Sequence, residues 1–379
     1  MKLFLRNNDV VDGSANFEKL HSLSNFPVFM GTVNHDPHLD ILANMDWYIS
    51  KTTGMIQLKE LIPLEVLYAE THTSGEVGRI WDEHHNSFCN FLFDVNHKKI
   101  FEIGGAKGIL ADKYHQKKPD IHWTIIEPNP RPNKTTKTKF IKGYFGDKIS
   151  YNFHDTTIVH SHTFEHIYFP DDFMKNISEN IDDKNYLIFS IPHIKKMLIN
   201  KYTNALNFEH TFYLNEIYME HFLKKYGFEI IKKDFYLEDH SIFYLTKKVN
   251  VPRDLKFTEN LYNENKKLFN NFINFYKILV DSINLKIKNQ QGKIYLFGAH
   301  IFSQYLIAMG LDTSRVECIL DNDVTKQNKR LYGTKLTVKS PEILRNNKYK
   351  TSIILRAGVY NKEIKDNINK SINSNVEYL

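Results

Sequence analysis

The chain has 379 residues, of which 50 are Lys or Arg and 44 are Asp or Glu, giving a formal net charge of +6. This excess is small for the length and the charges are interspersed, which argues against a dense nucleic-acid-binding surface. Two cysteines, Cys89 and Cys318, exclude a disulfide scaffold and a cysteine-rich zinc site. Because no stretch suits a signal peptide or reaches the ~20 apolar residues of a membrane span, we expect a soluble cytoplasmic protein of two or three domains.

The first part of the chain, residues 1–75, is irregular and predicts a small N-terminal module. Short strands are expected at residues 3–11 and 46–61, with chain breakers at residues 25–27 and 53–54. Residues 76–93 carry apolar side chains at helical spacing and lead into the central part of the chain.

A glycine-rich turn organises the central part. Residues 98–110, KKIFEIGGAKGIL, are an apolar strand that ends at Glu102 and Ile103, followed by Gly104, Gly105 and Gly108. Such a turn between a strand and a helix lets backbone N–H groups approach a ligand closely. Glu127 ends the next apolar run, where an acidic side chain can reach ribose hydroxyls. Taken alone, the pattern also fits a purely structural turn.

Strands and helices then alternate up to about residue 250, which predicts an α/β fold with a parallel sheet. An amphipathic helix is expected at residues 214–226, and residues 228–233 and 240–246 should form a closing pair of strands. A long apolar-striped helix is expected over residues 252–288. Residues 293–300, 316–321 and 351–355 then predict a second, smaller Rossmann-type unit.

Histidines and a carboxylate follow the strand at residues 156–161. His160 and His162 would face the same side of that strand, and Glu165 and His166 come just after it. At the carboxyl end of a parallel strand, His162 or His166 could act as a general base. The alternatives are a packing role for any one histidine, or a zinc or iron site formed with Glu165.

A second constellation, Asn207-Phe208-Glu209-His210, precedes the helix at residues 214–226. A carboxylate beside an imidazole can bind sugar hydroxyls, and either Glu209 or His210 can accept a proton. The competing interpretation is a helix-entry loop without chemistry.

The glycine turn and the later E-P-N segment resemble those of class I S-adenosylmethionine (SAM) methyltransferases. The resemblance implies that Gly104, Gly105 and Gly108 hold the amino-acid part of SAM, with Glu102 at the strand end. It further implies that Glu127 holds the ribose and that Asp147 lies near the adenine. Lys107 stands where relatives usually carry a small, polar or acidic residue.

A more specific resemblance covers nearly the whole chain. The strings HTFEHI, FPDDF, LIFSIP and NFEHTFYL, then LFGAHIFSQYLIAMGL and ILRAGVYNKEI, resemble the sugar C-methyltransferase family that acts on nucleotide-linked deoxysugars. The resemblance implies three parts: an N-terminal module (1–75), a SAM-binding methyltransferase domain (76–250), and a helix with a Rossmann-like substrate domain (251–379). The sugar nucleotide would lie between the last two, facing His300, Tyr360 and Asn361.

The chain departs from that family at two places. Relatives bind structural zinc through two C-x-x-C pairs, whereas this chain has Ser50-Lys51-Thr52-Thr53 at one pair and residues near 9–12 at the other, so we expect no zinc. Relatives show Tyr-His-Glu-His where this chain has Asn207-Phe208-Glu209-His210. C-methylation needs a proton taken from carbon and a stabilised enolate, which the tyrosine would assist. O-methylation needs one base and an aligned methyl group. We therefore expect O-methylation at least as strongly as C-methylation.

The sequence therefore predicts a SAM-dependent methyltransferase acting on a sugar or sugar nucleotide, in surface polysaccharide synthesis. His162, His166, Glu209 and His210 are the candidate catalytic residues. We expect a small-molecule substrate, no nucleic acid, no membrane and no metal. The alternatives are a nicotinamide-dependent oxidoreductase of sugar nucleotides and a non-catalytic methyltransferase-like binding subunit.

Overall fold

The computed structural model describes residues 2–68, 78–133, 136–146, 153–183, 185–249, 254–345, 347 and 349–379. The helices are α1 (Leu64–Leu67), α2 (Arg79–Leu92), α3 (Ile109–His115), α4 (Pro170–Asn180), α5 (Ile194–Ile199), α6 (Glu216–Lys225), α7 (Tyr262–Asn289), α8 (Ile301–Ala308) and α9 (Asn361–Asn367). Short 3₁₀ turns lie at Pro37–Leu39, Phe164–His166, Pro341–Leu344 and Gly358–Tyr360, and a π-turn at Ile368–Ile372. No helix among these residues has the length and apolar composition needed to cross a membrane.

The strands group into three main sheets. They are β1 (Phe4–Leu5), β2 (Phe17–Pro27), β3 (Thr32–Val33), β4 (Leu42–Ser50), β5 (Ile56–Leu58), β6 (Glu60–Leu61), β7 (Lys99–Ile103), β8 (His122–Glu127), β9 (Lys139–Lys142), β10 (Thr156–Ser161), β11 (Tyr186–Pro192), β12 (Phe228–Tyr236), β13 (Ser241–Lys248), β14 (Lys293–Phe297), β15 (Val316–Leu320), β16 (Arg330–Leu331), β17 (Val338–Lys339), β18 (Thr351–Leu355) and β19 (Val376–Tyr378).

The central sheet has seven strands in the order β12-β13-β11-β10-β7-β8-β9. Strands β11, β10, β7, β8 and β9 are parallel, while β13 runs antiparallel to β11 and pairs with β12 as a hairpin. Helices cover both faces, which is why the inner strands read as unbroken apolar runs. The predicted parallel core and closing antiparallel pair are confirmed.

Successive side chains of β7 point to opposite faces of the central sheet and show how each face is packed. Ile100 packs with Phe88 of α2 and Tyr114 of α3 on one face. Phe101 points to the other face, where α4 contributes Phe173. The strand thus ends with both faces buried, and Glu102 and the glycine turn are held at its carboxyl end.

The smaller α/β unit has a five-stranded parallel sheet in the order β17-β15-β14-β18-β19. The long helix α7 leads into it and begins ten residues later than the sequence pattern indicated. Strand β3 pairs with β16, so the N-terminal part also contacts this unit. One continuous core runs through all three sheets, for example through Trp47, Phe189 and Leu296. The three-segment division of the chain stays a prediction.

The N-terminal part is an antiparallel sheet, β2-β4-β5. Strand β2 was missed, because Asn25 and Pro27 read as chain breakers. The structure accommodates them in a strand whose register shifts between Leu23 and Phe26, with Asn25 at a positive φ of 52°. The strand expected over residues 3–11 is limited to the two residues of β1.

Hydrogen bonds link the loop near residues 9–12 to the turn at residues 50–53. The Asp9 carboxylate accepts hydrogen bonds from the Thr53 hydroxyl (2.5 Å) and from the Val11 N–H (2.8 Å). The hydroxyls of Ser50 and Thr52 share a further bond of 2.8 Å. Oxygen groups therefore tie the two loops together directly at this place.

A buried arginine connects the N-terminal part to the central domain. Arg6 is 4% exposed, and its guanidinium donates to the backbone oxygens of Leu58 (2.8 Å), Thr211 (2.8 Å) and Tyr168 (3.0 Å) and to the Thr211 hydroxyl (3.1 Å). Burial lowers the pKa of Arg6 to about 9, so the side chain stays charged at neutral pH. Thr211 directly follows His210, so Arg6 holds the candidate catalytic loop.

We expect Arg6→Met to lower the free energy of unfolding by about 2–4 kcal/mol, because it leaves buried carbonyl oxygens without donors. Denaturant unfolding followed by circular dichroism measures the change. Arg345→Met is the matched control: this arginine is exposed and pairs with Glu342, so its loss should leave the free energy of unfolding almost unchanged. Equal effects of the two substitutions would contradict the role given to Arg6.

Candidate active site

A single cavity of about 1020 Å³ lies between the carboxyl ends of the central strands and the smaller α/β unit. Its lining combines the glycine turn, the histidine-rich segment after β10, the loop before α6, and the first turns of the smaller unit. Predicted site residues in the lining are Glu102, Gly104, Gly105, Glu127, His162, His166, Glu209, His210, His300 and Tyr360.

Two predicted site residues lie outside the lining, and a third is not described. Gly108 begins α3 at a φ of 81° and is not among the lining residues, although its neighbours Lys107 and Ile109 are. Asn361 is also outside the lining, and its side chain accepts a hydrogen bond from the Ala357 N–H (2.7 Å), closing the turn after β18. Asp147 lies outside the described residues.

The glycine turn brings its backbone close to Thr163, just after β10. Gly104 has a φ of 76°, and a Cβ atom there would lie 2.7 Å from the Thr163 hydroxyl, so no larger residue fits without a shift. Glu127 accepts hydrogen bonds from the N–H groups of Ala106 (3.2 Å) and Asn129 (3.1 Å). The carboxylate is thereby fixed at the edge of the turn.

Glu102 is a buried carboxyl group at the floor of this end of the cavity. It is 3% exposed and accepts a hydrogen bond of 2.8 Å from the Trp123 indole N–H. Burial raises the pKa of Glu102 to about 8, against the opposing effect of the Trp123 bond. Glu102 is therefore largely protonated at neutral pH in the protein without a cationic ligand.

His166 lies close to the adjacent residues Glu209 and His210, although it is distant from them along the chain. The His166 and His210 rings are 4.9 Å apart, edge to face, and His166 Nδ1 lies 3.6 Å from the Glu209 carboxylate. Asn207, at the start of this segment, folds the loop: its side-chain oxygen accepts from the N–H groups of Glu209 (2.7 Å) and His210 (3.0 Å).

The protonation of His210 follows from its backbone partner. Its Nδ1 atom lies 3.2 Å from the Ala205 carbonyl oxygen, which can only accept, so Nδ1 carries the proton. Burial, followed by the nearby His166, lowers the pKa of His210 to about 4. The ring is therefore neutral at pH 7, and Nε2 keeps a lone pair.

Tyr68 is a site residue that the sequence analysis missed. Its hydroxyl shares a hydrogen bond of 3.0 Å with Nδ1 of His166. Burial and then the charge of Glu209 raise the pKa of Tyr68 well above its usual value, so the phenol stays protonated. Asn129 of the E-P-N segment donates to the Tyr68 carbonyl (3.1 Å) and links it to the cofactor side. No local pattern around Tyr68 points to this contact.

Glu165 is fully buried among imidazoles. Its nearest ring nitrogens are His162 Nδ1 at 3.4 Å and His166 Nε2 at 3.9 Å, and neither carboxylate oxygen has a well-formed hydrogen bond within the described parts of the chain. Burial alone would raise the pKa of Glu165, but His162, His166 and His210 outweigh it and lower the pKa. His160 points elsewhere and stacks on Phe189 at 4.8 Å, so it packs in the core.

We expect Glu102→Gln to change how stability depends on pH. Because the folded-state pKa of Glu102, about 8, lies above the ordinary 4.5, the wild-type carboxyl group favours folding most below about pH 4.5. Its contribution is lost as the pH rises to about 8, at a cost of up to a few kcal/mol. The variant should be the more stable protein at pH 9 by unfolding titration, and the two should converge near pH 5. Glu83→Gln, an exposed control, should leave the pH profile unchanged.

Residues 82–233 match the model of a methyltransferase domain. Among solved structures, the N-methyltransferase NodS from Bradyrhizobium japonicum WM9 is 12% identical, covers 45% of this chain and 97% of its own, with a TM-score of 0.34. The plantazolicin methyltransferase BpumL, in complex with a substrate analogue and S-adenosylhomocysteine, is 10% identical, covers 45% of this chain and 84% of its own, with a TM-score of 0.34. A comparison with curated proteins gives no significant match.

The matched segment begins in α2 and ends in β12, so it contains the glycine turn, the Glu127 strand and the His166 and His210 segments. The segment contains the parallel core of the central sheet and most of β12, and β13 follows it to complete the terminal hairpin. Residues 82–233 are a class I methyltransferase domain, and the chain is a methyltransferase that uses S-adenosylmethionine.

Proposed function

We propose that this methyltransferase acts on a sugar or sugar nucleotide. The observation that carries the proposal is the continuity of the cavity, which runs from the glycine turn, past His166 and His210, to His300 and Tyr360 of the smaller α/β unit. A cavity of about 1020 Å³ exceeds the range of about 300–1,000 Å³ that is usual for one small ligand. It therefore has room for a cofactor and an extended acceptor side by side.

The cofactor end fits SAM by its chemistry. Gly104 and Gly105 leave the backbone bare beside the cavity, and Glu127 presents carboxylate oxygens fixed by two N–H groups. Glu102 is a buried carboxyl group that an ammonium group nearby would ionise. We infer that Gly104, Gly105 and Glu102 hold the amino-acid part and Glu127 the ribose; the contact of Asp147 with adenine stays a prediction.

His210 is the proposed general base. Bound SAM supplies an electrophilic methyl group on its sulfonium. The Nε2 lone pair of His210 removes the proton of the acceptor group while Nδ1 stays bound to the Ala205 carbonyl. Glu209 orients the acceptor hydroxyls, and His166, held by Tyr68, lines the same face. His162 contacts the acceptor side less directly, since its Nδ1 faces Glu165.

The acceptor atom is proposed to be a hydroxyl oxygen, with carbon as the alternative outcome. One neutral imidazole with a free lone pair is sufficient for O-methylation. Asn207 stands at the position of the family's tyrosine. It has no phenol to stabilise an enolate, and its amide oxygen is used in folding the loop. The use of the product in surface polysaccharide synthesis rests on the resemblance to the sugar methyltransferases.

The far end of the cavity offers contacts for the rest of the substrate. His300, Asn322, Lys326 and Tyr360 line it, on loops that follow β14, β15 and β18. Loops at the carboxyl ends of parallel strands commonly bind ligands in such sheets. We propose that the nucleotide part lies here, with His300 and Tyr360 in contact.

We expect Glu127→Ala to weaken the binding of S-adenosylhomocysteine by about 10–100-fold, because a fixed acceptor for ribose hydroxyls is lost. Isothermal titration calorimetry on both proteins measures the change. Glu83→Ala, on the outer face of α2, should bind as the wild type does. If Glu127→Ala binds as tightly as the wild type, the cofactor does not use the glycine turn in the proposed manner.

We expect His210→Gln to lower kcat by about 10²–10⁴-fold with a panel of sugar nucleotides, because the general base is removed. The affinity for S-adenosylhomocysteine should stay within a factor of two or three. Mass spectrometry detects the methylated product, and NMR distinguishes O-methyl from C-methyl. Full activity of His210→Gln would exclude His210 as the base, and turnover only on acceptors without a sugar would contradict the proposed substrate class.

A further inference from the structure

Three histidines from distant parts of the chain meet beside the active site. His84 lies on α2, His162 directly follows β10, and His240 directly precedes β13. One ring nitrogen from each lies within 4.8 Å of the other two. The histidines at residues 166 and 210 with Glu165 form a separate group that belongs to the proposed catalytic face.

His84 is a buried polar group without a polar partner. It is 0% exposed, and neither ring nitrogen has a hydrogen-bond partner among the described residues. A neutral imidazole always has one N–H donor and one lone pair, and leaving them unpaired in the interior is unfavourable. Its surroundings are the rings of Trp81 and Phe243, at 5.3 and 5.4 Å, and the other two histidines, at 5.1 and 5.3 Å.

One ring nitrogen of His162 and one of His240 lie close to the same oxygen atom, the Ser241 hydroxyl. The Ser241 hydroxyl lies 2.7 Å from His162 Nε2 and 2.6 Å from His240 Nδ1. The opposite nitrogen of His162, Nδ1, faces the buried Glu165 carboxylate at 3.4 Å. Imidazoles that bind metal usually present their second nitrogen to a carboxylate or carbonyl in this way, which fixes the ring. His162 also has a left-handed backbone conformation, with a φ of 49°. This conformation is unfavourable for a non-glycine residue, so the surrounding contacts must stabilise it.

The spacing of the three histidine nitrogens suits a small cation if the rings move slightly closer together. In a triangle with sides of 4.8 Å, the largest separation present, the centre lies about 2.8 Å from each nitrogen, whereas Zn–N bonds are about 2.0–2.1 Å. Each ring would move inward by under an ångström. A set of three imidazoles favours zinc and similar transition metals over magnesium or calcium, which prefer oxygen.

We propose that His84, His162 and His240 bind one divalent transition-metal ion of the zinc type, with the Ser241 hydroxyl or a water molecule as the fourth ligand. The ion ties α2 to the strand ends of the central sheet. It also fixes His162 against Glu165, and so positions the buried carboxylate behind His166 and His210. The proposal does not depend on which acceptor is methylated.

The test uses the full chain, stripped with a chelator and titrated with Zn²⁺ in competition with a chromophoric chelator. One equivalent should bind the wild type, and Co²⁺ in its place should give the visible spectrum of a tetrahedral site. His84→Phe and His240→Phe keep an aromatic ring in each position but remove a ligand. Each should weaken Zn²⁺ binding by at least about tenfold and abolish the rise in melting temperature that Zn²⁺ gives the wild type.

Two further variants locate the ion. His122→Phe, at an exposed position on β8, should bind Zn²⁺ as the wild type does. His210→Phe removes a ligand from the neighbouring group and should also leave binding unchanged. The proposal is overturned if the wild type takes up no ion, if binding survives both His84→Phe and His240→Phe, or if it is lost in His210→Phe alone.

Discussion

The Arg6 guanidinium is the constraint on which the active site depends. Its donors are shared between the N-terminal sheet, through Leu58, and the central domain, through Tyr168 and Thr211. A buried cation is tolerated only where acceptors surround it, so these three backbone segments must meet at one point. Thr211 follows the proposed base, and the N-terminal part supplies Tyr68 to His166. The module before the methyltransferase domain is therefore part of the catalytic wall.

The cavity wall contains imidazoles and carboxyl groups whose charges are set by burial. The neutral His210 lies at the proposed acceptor side, and the protonated Glu102 lies at the proposed cofactor side. Glu165 stands between the two histidine groups, close to His162 and His166. A single buried carboxylate can thus orient rings on both sides, which connects the proposed metal group to the proposed catalytic face.

Much of the central domain was readable from the sequence, because its signals are local. The apolar run before Gly104, the turn itself and the acidic end of β8 identified a nucleotide-type site from a few adjacent residues. The closing hairpin followed from two short strand patterns after Gly227. Strand β2 was missed for a physical reason: a register shift absorbs Asn25 and Pro27, and only pairing with β4 makes that conformation stable.

The sequence by itself determined the α/β class, the methyltransferase turn and the adjacency of Glu209 and His210, since each depends on neighbours along the chain. Tertiary structure alone decided that Tyr68 reaches His166, that Asn361 closes a turn instead of lining the cavity, and that His84, His162 and His240 meet. Tyr68 and His166 lie 98 residues apart, and His84 and His240 lie 156 residues apart, whereas the bond between Asn361 and Ala357 is local and only its effect on the cavity lining depends on the fold. Long-range packing and the pairing of buried polar groups fix them, and neither leaves a periodic pattern in the chain.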